Sequence, residues 1–167
     1  MTTKTIYLSL ILCLLVCLPA KTAEADTQMP GKAIFYLALN KDTYFNPEII
    51  SFDLKINTAS SIINALSAKL DFDAEKLTLI EADKTNSLCN FFISEEINNE
   101  AGHYELKCGS DSSLASEQIQ AVHLTFKKNI AGTTVLNLLG ESEALAANGL
   151  GTKLETIGED YNIVIIK

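Results

Sequence analysis

The amino-acid sequence predicts an all-β fold, a sandwich of about nine short antiparallel strands. Apolar residues alternate with polar ones in stretches of strand length, and turn-forming residues separate these stretches from one another. No convincing long stretch has the period of an amphipathic helix. The chain has 167 residues, of which 47% are hydrophobic, so one domain can bury a core without needing a metal.

The chain begins with a stretch typical of an export signal, and we predict a signal peptide over residues 1–25. Lys4 supplies the positive start, residues 6–18 are almost wholly apolar, and residues 23–25 form a cleavage site of the A-x-A kind. The apolar run of about 13 residues is shorter than the ~20 that a membrane-spanning helix needs. We expect cleavage before Asp26 and a protein that is secreted, periplasmic or at the cell surface.

Two alternatives for this leader stay open. It could be retained as an anchor, or Cys17 could carry a lipid, although Val16 occupies a position where a small residue is expected. In each case the sequence predicts a short connector at residues 26–31 and a single domain at residues 32–167, with no other stretch that could cross a membrane.

The charge of the chain argues against two classes of partner. The formal net charge is -8, and all 13 basic residues are lysines. Nucleic acids and anionic membrane surfaces are both recognised largely through basic side chains. We therefore expect neither nucleic acid nor a lipid surface as the partner.

The strands are predicted in order from their alternation. Residues 48–57 and 117–128 alternate most cleanly, whereas the nearly unbroken apolar run of residues 32–40 suggests burial on both faces. Residues 110–116 read as a serine-rich loop, and residues 141–147 as one helical turn. The predicted strands are residues 32–40, 48–57, the strand–turn–strand stretch 61–80, 88–94, 103–109, 117–128, 133–139, 153–157 and 161–166.

A hairpin around Asn98 and Asn99 brings two cysteines together. With these two residues as the loop, Cys89 faces Cys108, and the same register aligns apolar residues on one face. The aligned pairs are Phe91 with Leu106 and Ile93 with Tyr104. A longer turn that includes Gly102 is the alternative for this loop. Opposed residues lie about 4.5–5.5 Å apart at Cα, which suits a disulfide. Export favours a Cys89–Cys108 disulfide over two free thiols.

Four stretches, taken in order, resemble one known family, the cohesin domain, which is the receptor module of cellulosome scaffolds. Each match is loose, and their order is more specific than any one of them. The likeness as a whole spans about residues 32–167. The stretches are an opening strand with the Tyr44-to-Glu48 approach and an alternating strand that ends in Asn57, the Ile-Asn-Ala…Asp-Phe-Asp…Lys-Leu stretch from Ile63 to Leu77, the hairpin that ends Lys107-Cys108-Gly109, and the strand that ends Leu124-Thr125-Phe126-Lys127.

The resemblance implies a nine-stranded jelly roll, related in shape to certain carbohydrate-binding modules. It also implies protein–protein adhesion, because known cohesins bind dockerins, which are small calcium-loaded helical modules on enzymes. Calcium would then lie on the partner, and this chain itself would need no cofactor. Unlike a typical scaffold, this chain has one domain, and it adds a predicted disulfide.

The chemistry-bearing residues do not form a catalytic or metal-binding pattern. His103 and His123 read as surface strand residues, because two histidines without further ligands do not make a zinc site. Asp71 and Asp73 share a strand face and could hold calcium, but turn capping explains them better. We therefore predict no enzyme activity and no metal site.

The predicted function is an exported binding module that takes a protein partner, dockerin-like or otherwise, through one sheet face. The alternative is a carbohydrate-binding module that acts in polysaccharide binding or breakdown, for which Tyr36, Tyr44 or Tyr161 would have to form an exposed planar row. A structural role in an envelope assembly is a further reading. The candidate partner-binding residues are the outward residues Ser51, Asp53, Lys55, Lys69, Asp71, His123 and Thr125.

Overall fold

The computed structural model describes residues 31–40, 47–114 and 118–166, and these residues form an all-β fold. The predicted signal peptide, Tyr44 and most of the predicted connector lie outside the described residues. Within them, no helix is long and apolar enough to cross a membrane. The strands are β1 (Lys32–Leu39), β2 (Ile49–Asn57), β3 (Ile63–Phe72), β4 (Leu77–Asp83), β5 (Phe91–Asn98), β6 (His103–Leu114), β7 (Ile119–Lys128), β8 (Gly132–Leu138), β9 (Glu143–Ala146), β10 (Glu155–Gly158) and β11 (Tyr161–Ile165).

The strands form two packed sheets, as predicted. The first sheet has the order β10-β1-β2-β7-β4, and the second has the order β11-β8-β3-β6-β5 with β9 also paired to β3. All pairs are antiparallel except β1 with β10. The described residues form eleven strands rather than nine. The helical turn predicted for residues 141–147 is wrong, because Glu143–Ala146 pairs with the start of β3 as β9.

The core lies between the two sheets and follows the alternation in the sequence. In β2 the residues Ile50, Phe52, Leu54 and Ile56 are buried, while the polar residues between them point outward. Phe126 of β7 packs edge-to-face on Phe52, with ring centroids 6.5 Å apart. β1 departs from the prediction, because only alternate residues are fully buried, the residues between them are half-buried, and Lys32 and Leu39 at its ends are exposed.

The hairpin of β5 and β6 forms in a different register from the predicted one. Asn98 pairs with His103, so the loop has four residues and Glu95, not Phe91, lies opposite Leu106. Gly102 has a φ of 68°, a left-handed conformation that suits glycine. The predicted two-residue loop was wrong because this glycine belongs to the turn.

The predicted disulfide is confirmed despite the change of register. Cys89 and Cys108 are joined with an S–S distance of 2.05 Å and a Cα–Cα distance of 5.8 Å. Cys89 precedes β5, and the backbone N–H of Asn90 donates to the carbonyl of Gly109 at 3.1 Å. A β-bulge between Phe92 and Ser94 places one extra residue in β5, so the pairing register of β5 with β6 shifts by one residue at this point. The disulfide therefore holds the beginning of β5 against β6.

Candidate partner-binding surface

The seven predicted partner-binding residues lie on two opposite outer faces of the sandwich. Five of them belong to β2 and β7 in the first sheet, and two belong to β3 in the second sheet. They therefore form two separate groups rather than one site. The group on the first sheet is Ser51, Asp53, Lys55, His123 and Thr125; the group on the second sheet is Lys69 and Asp71.

The group on the first sheet is largely engaged with itself. Asp53 lies 2.7 Å from Nδ1 of His123 and 3.8 Å from Nζ of Lys55. Ser51 donates a hydrogen bond to Thr125 Oγ1 at 3.3 Å, and only 2% of Ser51 and 8% of Thr125 are exposed. These polar atoms already have partners within the chain, so a ligand would gain little from most of them.

The outer face of the second sheet offers a broader and more varied surface. Side chains from β3, β5, β6, β8 and β9 stand next to one another in rows that cross the strands, since paired residues share a face. The sequence did not reveal these rows, because they depend on pairings between distant strands. The rows are Asn98–His103–Asp71–Asn137, Glu96–Glu105–Lys69, Ser94–Lys107–Ser67–Glu143 and Phe91–Gly109–Ala65–Leu145.

Ion pairs occupy the middle of this face. Nζ of Lys69 lies 2.7 Å from Oε2 of Glu141, and this hydrogen bond raises the pKa of Lys69 and lowers the pKa of Glu141. Nζ of Lys107 lies 3.0 Å from Oε1 of Glu105 and lowers the pKa of that carboxyl group. Exposed pairs of this kind contribute little to folding, because water and salt screen them. Their charges are available to a partner at the same time.

One histidine–aspartate pair lies at the end of the face nearest the β5–β6 turn. Nδ1 of His103 lies 2.6 Å from Oδ1 of Asp71, and the Asp71 side chain is 45% exposed. Asp73 is used differently: Oδ1 accepts the backbone N–H of Glu75 at 3.0 Å, and Lys76 lowers the pKa of the carboxyl group from 2.9 Å away. Asp73 thus caps its turn, as predicted.

An apolar cluster lies at the opposite end of the same face. Phe91 is half-exposed, and its ring covers Gly109, where an added Cβ would lie 2.3 Å from two ring atoms. The Phe91 ring can therefore lie on the sheet at this point because Gly109 has no side chain. Ala65 and Leu145 continue this row toward β9. The face thus combines an apolar end with a charged middle.

The other candidate chemistries find less support on the surface. Tyr161 packs on Phe52 with ring centroids 5.0 Å apart, and Tyr36 is half-buried, so these two do not form an exposed planar row. In the part of the chain that the structure describes, no group of three or more His, Cys, Asp or Glu residues could hold a metal ion.

No family model matches the sequence, and no curated protein matches it. Solved structures do match, and they include cohesin modules. A non-cellulosomal cohesin from Archaeoglobus fulgidus superposes with a TM-score of 0.62 at 11% identity, covering 81% of this chain and 92% of that one.

Two bacterial cohesins give a similar result. The third ScaC cohesin of Acetivibrio cellulolyticus, solved in complex with the ScaB dockerin, matches with a TM-score of 0.59 at 14% identity, over 81% of this chain and 99% of that one. The cohesin module of a Clostridium perfringens family 33 glycoside hydrolase matches with a TM-score of 0.58 at 13% identity, over 81% and 96%. The described residues therefore have a cohesin-like fold, as the sequence resemblance implied.

Proposed function

We propose that this cohesin-like chain is an exported, non-catalytic binding module that takes a dockerin-type protein partner through the outer face of its second sheet. The observation that carries the proposal is the combination on that face of a fixed apolar end at Phe91 with a charged middle around Lys69. Interfaces typically pair an apolar core with a polar rim, and aromatic residues are enriched in such cores. Several similar structures are cohesins in complex with dockerins.

The choice between the two faces rests on what each leaves available. On the first sheet the outward Ser51 and Thr125 are buried and Asp53 has three neighbours that use its oxygens. On the second sheet Phe91 is half-exposed and Asp71 is 45% exposed at its side chain. A partner can therefore contact both apolar and charged groups on the second sheet without first breaking a buried network.

Export is supported by the disulfide and by the predicted signal peptide. Disulfides form and persist in oxidising compartments such as the periplasm and the cell exterior. The leader at residues 1–25 would direct the chain there. Any calcium requirement is expected on the dockerin-type partner rather than on this chain.

The test is an affinity capture from the secreted and envelope fractions of the source organism. The bait is residues 26–167, used with calcium and again with EDTA, and bound proteins are identified by mass spectrometry. We expect a calcium-dependent protein that carries paired acidic loops. Capture of polysaccharide-associated material alone would contradict the proposal and favour the carbohydrate-binding alternative.

Matched charge reversals on the two faces test the position of the site. Lys69→Glu and Lys55→Glu make the same change on opposite sheets, and each residue has one acidic partner at the surface. We expect Lys69→Glu to weaken binding of the captured protein about tenfold and Lys55→Glu to leave it unchanged. The opposite pattern would move the site to the first sheet.

A further inference from the structure

β5 is exposed along its whole length, which is unusual for a strand with so many apolar residues. Seven of its eight residues are exposed and the eighth is half-buried. The exposed fractions are 50% for Phe91, 41% for Phe92, 69% for Ile93 and 43% for Ile97. Exposed contiguous apolar residues of this kind mark interaction sites in soluble proteins.

The backbone of β5 is also open on one side. Among the described residues β5 pairs only with β6, so the alternate N–H and C=O groups along its other edge point away from the sheet. The edges at β10 and β11 are shorter, with four and five residues against the eight of β5. A row of unpaired backbone groups is satisfied by another extended strand, which adds itself to the sheet.

This edge is held in position before any partner arrives. The Cys89–Cys108 disulfide holds the start of the strand, and the ring of Phe91 lies over Gly109. In the second half, Glu95 accepts hydrogen bonds from Lys84 Nζ at 2.6 Å and from the buried Tyr104 hydroxyl at 3.1 Å. A strand fixed in this way loses little conformational entropy when another strand pairs with it.

The charge along the edge indicates which kind of strand fits. Glu96 lies directly opposite Glu105 of β6, and among the described residues Lys107 pairs with Glu105 whereas Glu96 has no ion pair, so a cation on an incoming strand would compensate Glu96. In addition, the chain carries a net charge of -8. An incoming strand with lysine or arginine near Glu96 and apolar residues near Phe92 and Ile93 would complement both features.

A second copy of this chain fits less well. Antiparallel pairing of two β5 strands over their full length places Ser94 of one copy opposite Glu95 of the other. Glu95 of each copy then lies diagonal to Glu96 of the other on the same side, and such like-charge neighbours oppose pairing. Both copies also bring the same acidic net charge.

We propose that the free edge of β5 is a second docking site, which binds an extended basic and apolar segment of a partner protein by strand addition. This site is distinct from the outer face that carries Lys69, because it uses the backbone edge and the side chains of Phe92 and Ile93. Glu96 lies in the same cross-strand row as Lys69 and is shared by the two sites, so Ile93→Lys and Lys69→Glu are the variants that test them separately.

The probe for this site is a displayed library of random peptides of about ten residues, long enough to cover β5. The peptides are selected on the wild-type domain and counter-selected on Ile93→Lys, because a charge on an edge strand blocks pairing. We expect the surviving peptides to alternate apolar residues with lysine or arginine. Failure to enrich any peptide, or enrichment of acidic ones, would overturn the proposal.

The most enriched peptide is then synthesised and titrated against three variants. Ile93→Lys is expected to weaken binding at least about tenfold and Glu96→Lys about fivefold, whereas Ile80→Lys changes an equally apolar, 54% exposed residue on β4 and serves as the control. An equal loss in Ile80→Lys would show that the peptide adheres to apolar surface in general, against the proposal. Lys69→Glu is expected to bind the peptide normally.

Hydrogen exchange distinguishes strand addition from side-chain contact. On binding, amides of residues 91–98 are expected to gain protection, since pairing engages the free backbone groups. Peptide binding without protection in β5 would overturn the proposal. Sedimentation of the peptide-free protein as a dimer, lost in Ile93→Lys, would show that the occupant is a second copy instead.

Discussion

β4 and β5 are neighbouring edge strands of the two sheets, and they differ in whether a side chain covers their outward backbone groups. The edge of β4 is closed by a side chain from the β5–β6 turn: Asn99 Oδ1 accepts the N–H of Leu79 at 2.8 Å, and Asn99 Nδ2 donates to the carbonyl of Leu79 at 3.0 Å. One amide group thus occupies both outward backbone groups of Leu79, near the middle of the edge that another strand would use. β5 has no such cover among the described residues.

Because the edge of β4 is covered and the edge of β5 is not, the open edge is a property of β5 and not of every sheet edge in this molecule. The two edges are also joined, because Lys84, just after β4, pairs with Glu95 and its Nζ lies 5.5 Å from the centroid of the Phe92 ring. Two contacts therefore keep the open edge beside the closed one: the Asn99 amide on Leu79 and the hydrogen bond from Lys84 to Glu95. The disulfide and the Tyr104–Glu95 hydrogen bond instead fix β5 against β6, and each of these contacts can be removed separately.

Removal of the disulfide is expected to have the largest effect. The double variant Cys89→Ala/Cys108→Ala loses a cross-link between residues 19 positions apart, which contributes roughly 3 kcal/mol in the chain-entropy model. We expect the free energy of unfolding in urea to fall by about this amount, with exchange of β5 amides rising before that of β7 amides.

A reducing agent provides the control for this comparison. It should lower the stability of the wild type and leave the double variant unchanged, since only the wild type has a bond to reduce. Equal protection of β5 and β7 amides in the double variant would show that the disulfide stabilises the whole fold and does not specifically hold the edge.

The contrast between β4 and β5 also shows which parts of the fold could be predicted from the sequence. The bounds of β2 were predicted to within one residue. One face of this strand is exposed to solvent and the other lies in the core, so apolar and polar residues alternate directly in the sequence. In β5 the apolar residues Phe91, Phe92 and Ile93 are consecutive, so the sequence does not show which of these side chains point toward the core and which toward solvent. Its register was predicted four residues away from the observed one over most of the strand, although the disulfide was correct.

The candidate surface was only partly predictable for a related reason. Period two identified Lys69 and Asp71 as outward residues, but it could not say which sheet a strand joins, and so it combined residues from opposite faces. Phe91 was assigned to an apolar face because the predicted register placed it opposite Leu106, whereas its position over Gly109 depends on the observed pairing of β5 with β6. The role of Asn99 depends on β4, 20 residues away, and no local pattern indicates it.

Opening the edge of β4 is expected to have the second largest effect. Asn99→Ala removes two hydrogen bonds to the Leu79 backbone, which together contribute about 2 kcal/mol. We expect this loss in urea unfolding, with faster exchange of the Leu79 amide. Asn99→Asp keeps the accepting oxygen and loses the donor, so it should lose about half as much.

Asn99→Ala should also make the two edges more alike. If the amide is what closes β4, the variant is expected to bind extended peptides at β4 as well, and Ile80→Lys should then weaken that added binding. A variant that loses stability but gains no binding at β4 would show that the twist of the strand, and not Asn99, protects this edge.

The smallest expected effect concerns the hydrogen bond between Tyr104 and Glu95, and it depends on pH. Burial, and secondarily the charge of Glu95, raises the pKa of the Tyr104 phenol above its ordinary value of 10.0. A raised pKa in the folded state stabilises the fold fully below pH 10, and this stabilisation is lost as pH rises above 10, because the unfolded phenol ionises first. Chemical denaturation should therefore show wild-type stability falling above pH 10 more steeply than that of Tyr104→Phe.

Glu95→Gln separates the two causes of the raised Tyr104 pKa, which are burial and the charge of Glu95. It also tests whether electrostatics link the edges of β4 and β5. Burial is the larger cause, so this variant should keep most of the alkaline slope while losing about 1 kcal/mol at neutral pH from the hydrogen bonds of Glu95 to Lys84 and Tyr104. If it loses the slope as completely as Tyr104→Phe does, the charge of Glu95 dominates instead. The second half of β5 would then be held by electrostatics across the two edges and would loosen with added salt, whereas a burial effect would not.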